Sequence, residues 1–104
     1  MRYLFLITLI LSTAASAFSA TKTWDGGGGD ANWNTAANWS TDVAPVAGDD
    51  LIFPAAALQQ TNNNNFFLLT SFNSITVEGG AYTFGGNPIR LVNGLTEIGR
   101  ASCR

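Results

Sequence analysis

Hydrophobic and polar positions alternate most regularly between residues 75 and 91, where an apolar-polar-apolar triplet starts at every seventh residue. The three triplets occupy residues 75–77, 82–84 and 89–91. In an extended strand this alternation places both apolar side chains of a triplet on one face. A helix is disfavoured, because each residue of Gly79-Gly80 and Gly85-Gly86 would cost it about 1 kcal/mol relative to Ala. The pattern therefore predicts three short strands joined by sharp turns.

Two earlier apolar runs predict further strands. Residues 51–53 (Leu-Ile-Phe) end at Pro54, which is typical of one short strand. Residues 66–69 (Phe-Phe-Leu-Leu) follow the asparagines at 62–65, so we expect a buried strand at 66–69 and a turn or a side-chain ladder in the asparagines. No long window shows apolar residues at helical spacing, and only residues 35–38 could form a single turn. Helix content should be low.

Two all-β folds fit this pattern. In the first, three triplets make about one turn of a right-handed parallel β-helix (solenoid), whose strands stack on those one turn away. In the second, an antiparallel meander or sandwich fragment, a two-residue hairpin pairs Val77 with Tyr82 and Ile75 with Phe84. We favour the start of a β-helix with a Trp/Gly-rich N-terminal cap. Because stacked repeats need at least three copies to bury a continuous core, we expect the chain to rely on more of its parent protein.

The first residues have the pattern of a secretory signal peptide. Arg2 precedes an apolar run at residues 4–11, which is followed by small residues at 12–17. We place the cleavage after Ala17, with Ala20 as the latest position. The run is shorter than the roughly 20 residues of a membrane span, which argues against the alternative of an uncleaved anchor. We therefore expect an exported protein that engages the export machinery through residues 1–17.

The last eight residues have a different origin in our interpretation. Residues 97–104 (Glu-Ile-Gly-Arg-Ala-Ser-Cys-Arg) resemble, residue for residue, a translated sequencing adapter. We predict that they form a non-native tail, which removes Cys103, the only cysteine, from any functional argument. The other predicted segments after the signal peptide are a cap at residues 18–50 and the first strand repeats at residues 51–96.

Charge and residue types exclude several functions. Between residues 18 and 96, Lys22 and Arg90 face six carboxylates, which gives a net charge of −4 and argues against a nucleic-acid partner. The chain has no His, and without Cys103 it lacks the usual general base, thiol nucleophile and transition-metal ligands. Asp49 and Asp50 point to opposite faces of a strand and cannot flank one glycosidic bond. We predict no enzymatic activity and no catalytic residues in this segment.

The three tryptophans, Trp24, Trp33 and Trp39, lie in one Gly- and Asn-rich block. In a structural interpretation they cover the first coil of strands and shield its edges from aggregation. In a functional interpretation they form a platform on which sugar rings stack. Each ring can bury on the order of 200 Å², so three suffice to close a small end, and we favour the cap.

Four aspartates are candidate calcium ligands. Asp25, Asp30, Asp49 and Asp50 could supply the hard oxygen atoms that Ca²⁺ prefers. The run from Gly26 to Asp30 is one residue short of the Gly-Gly-x-Gly-x-Asp calcium repeat and occurs once. We therefore expect no cofactor, with calcium as the alternative, and predict that Asp25 and Asp49 cap turns by bonding nearby backbone N–H groups.

The order of these motifs resembles the start of bacterial autotransporter-associated β-strand repeat proteins. The residues that carry the resemblance are Thr23-Trp-Asp-Gly-Gly-Gly-Gly-Asp-Ala-Asn-Trp33, Asn38-Trp39, Pro45-Val-Ala-Gly-Asp-Asp-Leu-Ile-Phe53 and the strand triplets to Phe84, and it spans residues 22–92. The resemblance implies a large exported chain whose repeats wind into a β-helix passenger, displayed by an outer-membrane barrel or another surface signal. It implies no catalytic residues.

Together these observations predict an exported β-solenoid protein at the outer-membrane surface or outside the cell, with a structural or adhesive display role. Its expected partners are neighbouring coils of the parent chain and surface glycans. The alternative is a carbohydrate-binding module of a secreted polysaccharide-processing protein. That alternative predicts an exposed aromatic strip instead of a buried cap.

Overall fold

Strands dominate the computed structural model, which describes residues 19–97. The predicted signal peptide and residues 98–104 of the predicted tail lie outside this range. The strands within it are β1 (Thr21–Thr23), β2 (Asp50–Phe53), β3 (Thr61–Asn64), β4 (Ser71–Phe72), β5 (Ser74–Val77), β6 (Thr83–Gly86), β7 (Arg90–Leu91) and β8 (Leu95–Glu97). Two single-turn 3-10 helices, Ala36–Asn38 and Ser40–Asp42, complete the elements. The all-β prediction is confirmed. Across residues 19–97, no helix has the length and apolar character needed to cross a membrane.

The strands of this part of the chain form three parallel sheets. Sheet 1 has the order β1-β2-β5-β8, sheet 2 joins β3 to β6, and sheet 3 joins β4 to β7. The chain visits sheets 1, 2 and 3 with β2, β3 and β4, visits them again in the same order with β5, β6 and β7, and returns to sheet 1 with β8. β1 belongs to the predicted cap segment, yet it pairs with β2.

The hairpin alternative is wrong for residues 75–84. Val77 pairs with Phe53 of β2 and Glu97 of β8, not with Tyr82. Phe84 pairs with Asn62 of β3. The three triplets therefore contribute to three different sheets, because the glycine turns redirect the chain instead of folding it back. One register position of sheet 1 is occupied by Leu51, Ile75 and Leu95. Their apolar side chains therefore lie next to one another on the same face of the sheet.

The predicted buried strand at residues 66–69 and the turn option for the asparagines are wrong, whereas Asn63 does form a side-chain bond to Asn32, as a ladder would. The asparagine run forms β3, while Phe67, Leu68 and Leu69 lie in an exposed turn with 87%, 55% and 54% of their surfaces accessible. Asn62 and Asn64 are buried, and each side chain has a hydrogen-bond partner there. Asn62 Oδ1 accepts from Trp33 Nε1, and Asn64 Nδ2 donates to the Asn87 carbonyl. Leu69 has a φ of 62°, a left-handed conformation that ends strand geometry.

An aromatic cluster forms the core between the sheets. Phe53 lies at its centre and contacts five other rings at centroid distances between 4.9 and 6.0 Å, those of Trp24, Trp33, Trp39, Tyr82 and Phe84. All five contacts are tilted or edge-to-face, and edge-to-face is an arrangement that aromatic quadrupoles favour. One β2 side chain thus joins the rings of the Trp block to Tyr82 and to Phe84 of β6.

Candidate functional site

The Trp block closes one end of the strand stack. Trp24 N donates to Ile52 O at 2.8 Å, and Trp24 forms an antiparallel bridge with Trp39. Asn32 forms a parallel bridge with Asn63, which covers the outer edge of β3. The block therefore extends beyond sheet 1 and shields strand edges that would otherwise be open.

All three tryptophan side chains are buried, with at most 2% of their surfaces exposed. Their Nε1 atoms donate to Gln59 O at 2.7 Å from Trp24, to Asn62 Oδ1 at 2.8 Å from Trp33, and to Trp33 O at 2.7 Å from Trp39. Neither the ring faces nor the polar edges are available to a sugar. This geometry supports the cap interpretation, and it leaves the carbohydrate-binding alternative without the exposed strip that it predicts.

Asn38 organises the glycine loop, a role that the sequence analysis missed. Its buried Oδ1 accepts from Gly28 N at 2.7 Å, and its Nδ2 donates to Asp30 Oδ1 at 2.9 Å and to Asn32 O at 2.9 Å. A Cβ on Gly28 would lie 2.7 Å from Asn38 Oδ1, so glycine is needed for this close approach. The loop is thereby ordered by one amide.

Asp25 and Asp30 lie in this loop and cap turns. Asp25 Oδ1 accepts from Gly27 N at 2.9 Å, and Asp30 Oδ1 accepts from Asn32 N at 3.0 Å. The backbone bond from Asn32, followed by the hydroxyl of Thr35, lowers the pKa of Asp30. Both bonds join an Asp to the N–H two residues later, which is the use predicted for Asp25 beside Gly26.

Asp49 and Asp50 lie at the start of β2, where they bind protein donors. Buried Asp49 accepts from Ala20 N at 3.2 Å and Val46 N at 2.9 Å. Asp50 accepts from Ser74 Oγ and from Asn73 Nδ2, and these bonds lower its pKa in that order of effect. Within residues 19–97 no three acidic side chains are grouped so that they could hold a metal ion. The calcium alternative stays a prediction.

A ladder of side-chain amides runs along one corner of the stack. Asn93 Nδ2 donates to Asn73 Oδ1, and Asn73 Nδ2 donates to Asp50 Oδ1 at 2.7 Å. Backbone bonds run beside these side-chain bonds. Asn93 N donates to Asn73 O at 2.7 Å, and Asn73 N donates to Asp49 O at 2.9 Å. We call Asp50, Asn73 and Asn93 the amide ladder.

Residues 67–69 form a protruding surface that we call the apolar corner. It lies between β3 and β4, which are joined by six residues, whereas β6 and β7 at the equivalent place are joined by three. The corner is fixed by bonds from Leu69 N to Pro88 O at 3.0 Å and from Thr70 Oγ1 to Phe67 O at 2.7 Å. Because these bonds hold the main chain of the corner, ordering its backbone on contact with a partner costs little entropy.

An apolar cavity of about 430 Å³ opens where β6, β7 and β8 lie. Its lining includes Trp33, Ile75, Phe84, Ile89, Leu91 and Leu95. Gly86 also lines it, with a φ of 93°, and a Cβ there would collide with the backbone of Asn64. Glycine is therefore required at position 86, where β6 passes close to β3. No pattern in the sequence predicted the cavity.

Comparison of the chain with protein-family models, with curated proteins and with solved structures found no match. The candidate surfaces are therefore assigned from geometry alone. Of these, the closed Trp end and the four aspartates were singled out in the sequence. The apolar corner and the cavity were not, and the only sequence signal for the corner was its run of four apolar residues, residues 66–69.

Proposed function

We propose that the chain is the start of a right-handed parallel β-solenoid that is exported and displayed at a bacterial surface, as its resemblance to autotransporter-associated repeat proteins implies. The observation that carries the proposal is the repeated passage through three parallel sheets in the same order. One passage takes 24 residues from Asp50 to Ser74, and 20 residues separate Asn73 from Asn93. Such repeats are the unit from which solenoids are built.

The two ends of the stack support the same proposal. Solenoids need a terminal cap, and the Trp block is suited to that role. At the other end, the apolar cavity beside β8 has the chemistry of a surface that a following coil would cover. The proposed partners are accordingly further coils of the parent chain.

The display role is proposed for the apolar corner. Phe67, Leu68 and Leu69 are exposed and adjacent, and apolar surface of this kind is used for contact with partners. Phe67 offers a ring face to a surface glycan or to a protein, whereas the three tryptophans do not. The proposal includes no enzymatic step.

The decisive experiment is to read the native coding sequence beyond residue 96 and to translate it. A series of strand triplets punctuated by Gly and Asn, ending in a membrane barrel or a sorting signal, would support the proposal. A carboxylate-bearing catalytic domain directly after residue 96 would contradict it, since the present segment would then be an accessory module.

A second experiment tests the stacking itself. We would append the next native coil, about 20 residues if the spacing of Asn73 and Asn93 continues, and compare amide hydrogen exchange in both chains. The amides of β6 and β7 should become more protected, while those of β2, which already pairs on both sides, serve as the internal control. Unchanged protection of β6 and β7 would argue against a following coil.

A further inference from the structure

Asn93-Gly94 is the only Asn-Gly pair in the chain. Every other asparagine is followed by a residue with a side chain. A backbone nitrogen can attack the side-chain carbonyl of a preceding asparagine to close a five-membered ring, and a Cβ on the attacking residue hinders that closure. Glycine has none. Position 93 therefore differs chemically from all other asparagines.

The surroundings of this pair leave room for the reaction. Asn93 is exposed, and Gly94 has a φ of 86° with no heavy atom within 4 Å of the place where a Cβ would lie. The Gly94 carbonyl accepts from Ile75 N at 3.3 Å, but none of the backbone bonds found in residues 19–97 uses the Gly94 N–H. By contrast, in Asp25-Gly26 the glycine N–H donates to Asn38 O at 3.1 Å.

We propose that Asn93 is a site of spontaneous deamidation. The Gly94 nitrogen loses its proton and bonds to Cγ of Asn93, the Cγ–Nδ2 bond breaks, and ammonia leaves with that proton. Water then opens the resulting succinimide at either carbonyl, which yields aspartate or isoaspartate. The net change is the addition of water and the loss of ammonia, without any oxidant or reductant.

The position of Asn93 in the amide ladder gives the reaction a structural consequence. Asp50 can only accept, so Asn73 turns its Nδ2 toward Asp50 and its Oδ1 toward Asn93. A carboxylate at position 93 would place an acceptor against that Oδ1. Asn73 would then have to abandon either Asp50 or residue 93. Isoaspartate would in addition lengthen the main chain by one methylene just before β8.

The change should therefore loosen the pairing of β8 with β5 and leave β2 in place. This inference does not rest on the solenoid proposal, since it uses only the described strands. It adds a time-dependent modification site whose reagent is water. The site lies beside the cavity end of the stack, where Leu95 is part of the lining.

The test is to incubate the purified chain in mildly alkaline buffer and to follow each asparagine by peptide mass spectrometry. Asn93 should gain the mass that replacing an amide NH₂ by OH produces, as a mixture of aspartate and isoaspartate. Asn73 is the matched control, because it occupies the preceding ladder position and is followed by Ser74. Asn93→Gln, which disfavours the five-membered ring, should abolish the conversion, and Gly94→Ala should slow it at least tenfold.

A comparison with the unfolded chain in urea keeps the proposal falsifiable if Gly94→Ala misfolds. Conversion of Asn93 in both native and unfolded chains supports it. If the native chain stays unmodified while the unfolded chain reacts, the ladder protects Asn93 and the proposal is overturned. Equal conversion of Asn73 and Asn93 in the native chain would overturn it as well. Hydrogen exchange on the converted sample should show faster exchange in β8 than in β2.

Discussion

The two ends of the strand stack differ in how completely their apolar side chains are buried. At the Trp end, three rings are buried and each Nε1 has an acceptor. At the cavity end, an apolar space lies open beside β8, and Leu95 is 49% exposed. The difference teaches that closure depends on aromatic residues reaching over an edge, and not on the strands themselves.

The largest expected effect comes from opening the Trp end. Trp39→Ala deletes a fully buried ring and its bond to Trp33 O, and should cost about 3 to 5 kcal/mol of unfolding free energy. That is much of the stability of a small domain, which is about 5 to 15 kcal/mol. Urea unfolding followed by circular dichroism measures it. Leu58→Ala, at a residue that is 85% exposed, is the control, and equal midpoints for both variants would refute the contrast.

The next effect concerns Tyr82, which packs on Phe53 between the two ends. Burial, and secondarily the charge of Glu78, raise the pKa of Tyr82 to about 12 from 10.0. The folded protein holds the Tyr82 hydroxyl proton more tightly than the unfolded chain does, so the protonated hydroxyl contributes to the free energy of unfolding. This contribution is fully present below pH 10 and is lost as the pH rises toward 12. The loss should be about 2 to 3 kcal/mol at most, given 1.36 kcal/mol per pKa unit.

Absorbance of tyrosinate measures this titration with little interference, because the only other tyrosine is Tyr3, within the predicted signal peptide. In a chain that begins after Ala17, one transition well above 10 is expected under native conditions. Tyr82→Phe should remove the pH dependence together with the bond to the Pro54 carbonyl. An ordinary pKa in the folded chain would mean that solvent reaches the ring.

A smaller effect is expected from Asn38, which holds the loop at the Trp end. Asn38→Ala leaves the Gly28 N–H without its acceptor in a partly buried site, and should cost about 1 to 3 kcal/mol. Asn34→Ala is the matched control, since that side chain is exposed on the same loop. Thermal unfolding of the two variants is the measurement. A loss of stability in both would show that loop composition matters more than this amide.

The smallest effect is expected at the cavity end. Leu95→Ala removes a half-exposed side chain that lines an existing space, so we expect a loss of less than about 1 kcal/mol, well below that of a buried leucine. Urea unfolding of Leu95→Ala and Trp39→Ala, measured side by side, gives the ratio of the losses in unfolding free energy at the two ends. A cost near that of Trp39→Ala would mean that the cavity end is as well closed as the Trp end.

Local patterns predicted the strands whose apolar residues alternate. β2 and β5 coincide with residues 51–53 and 75–77, and β6 and β7 overlap the other two triplets. Their hydrophobic faces point to the core, so local periodicity and tertiary packing agree. Parallel pairing was favoured from the sequence, but the strand register could only come from contacts about 20 or more residues apart.

Residues 62–69 could not be predicted locally. Asparagine is a poor candidate for an inward strand position, and it is tolerated at Asn62 because Trp33 Nε1, 29 residues away, donates to its Oδ1. The apolar run at 66–69 was expected to be buried, but most of it lies at a corner that is three residues longer than its counterpart between β6 and β7. The cavity is lined by residues as far apart as Trp33 and Leu95, which no local pattern brings together.

The bonds of the Trp end also set an order of assembly. Trp24 Nε1 bonds the Gln59 carbonyl 35 residues later, and Trp33 Nε1 bonds Asn62 Oδ1 29 residues later. This end therefore cannot close until the chain as far as β3 is available. Later contacts, such as Asn73 with Asn93, span only 20 residues and add to a template already in place. Ordering the long segment is the entropically expensive step, and each following strand costs less. We therefore expect slow nucleation of folding at the Trp block and rapid addition of the strands that follow it.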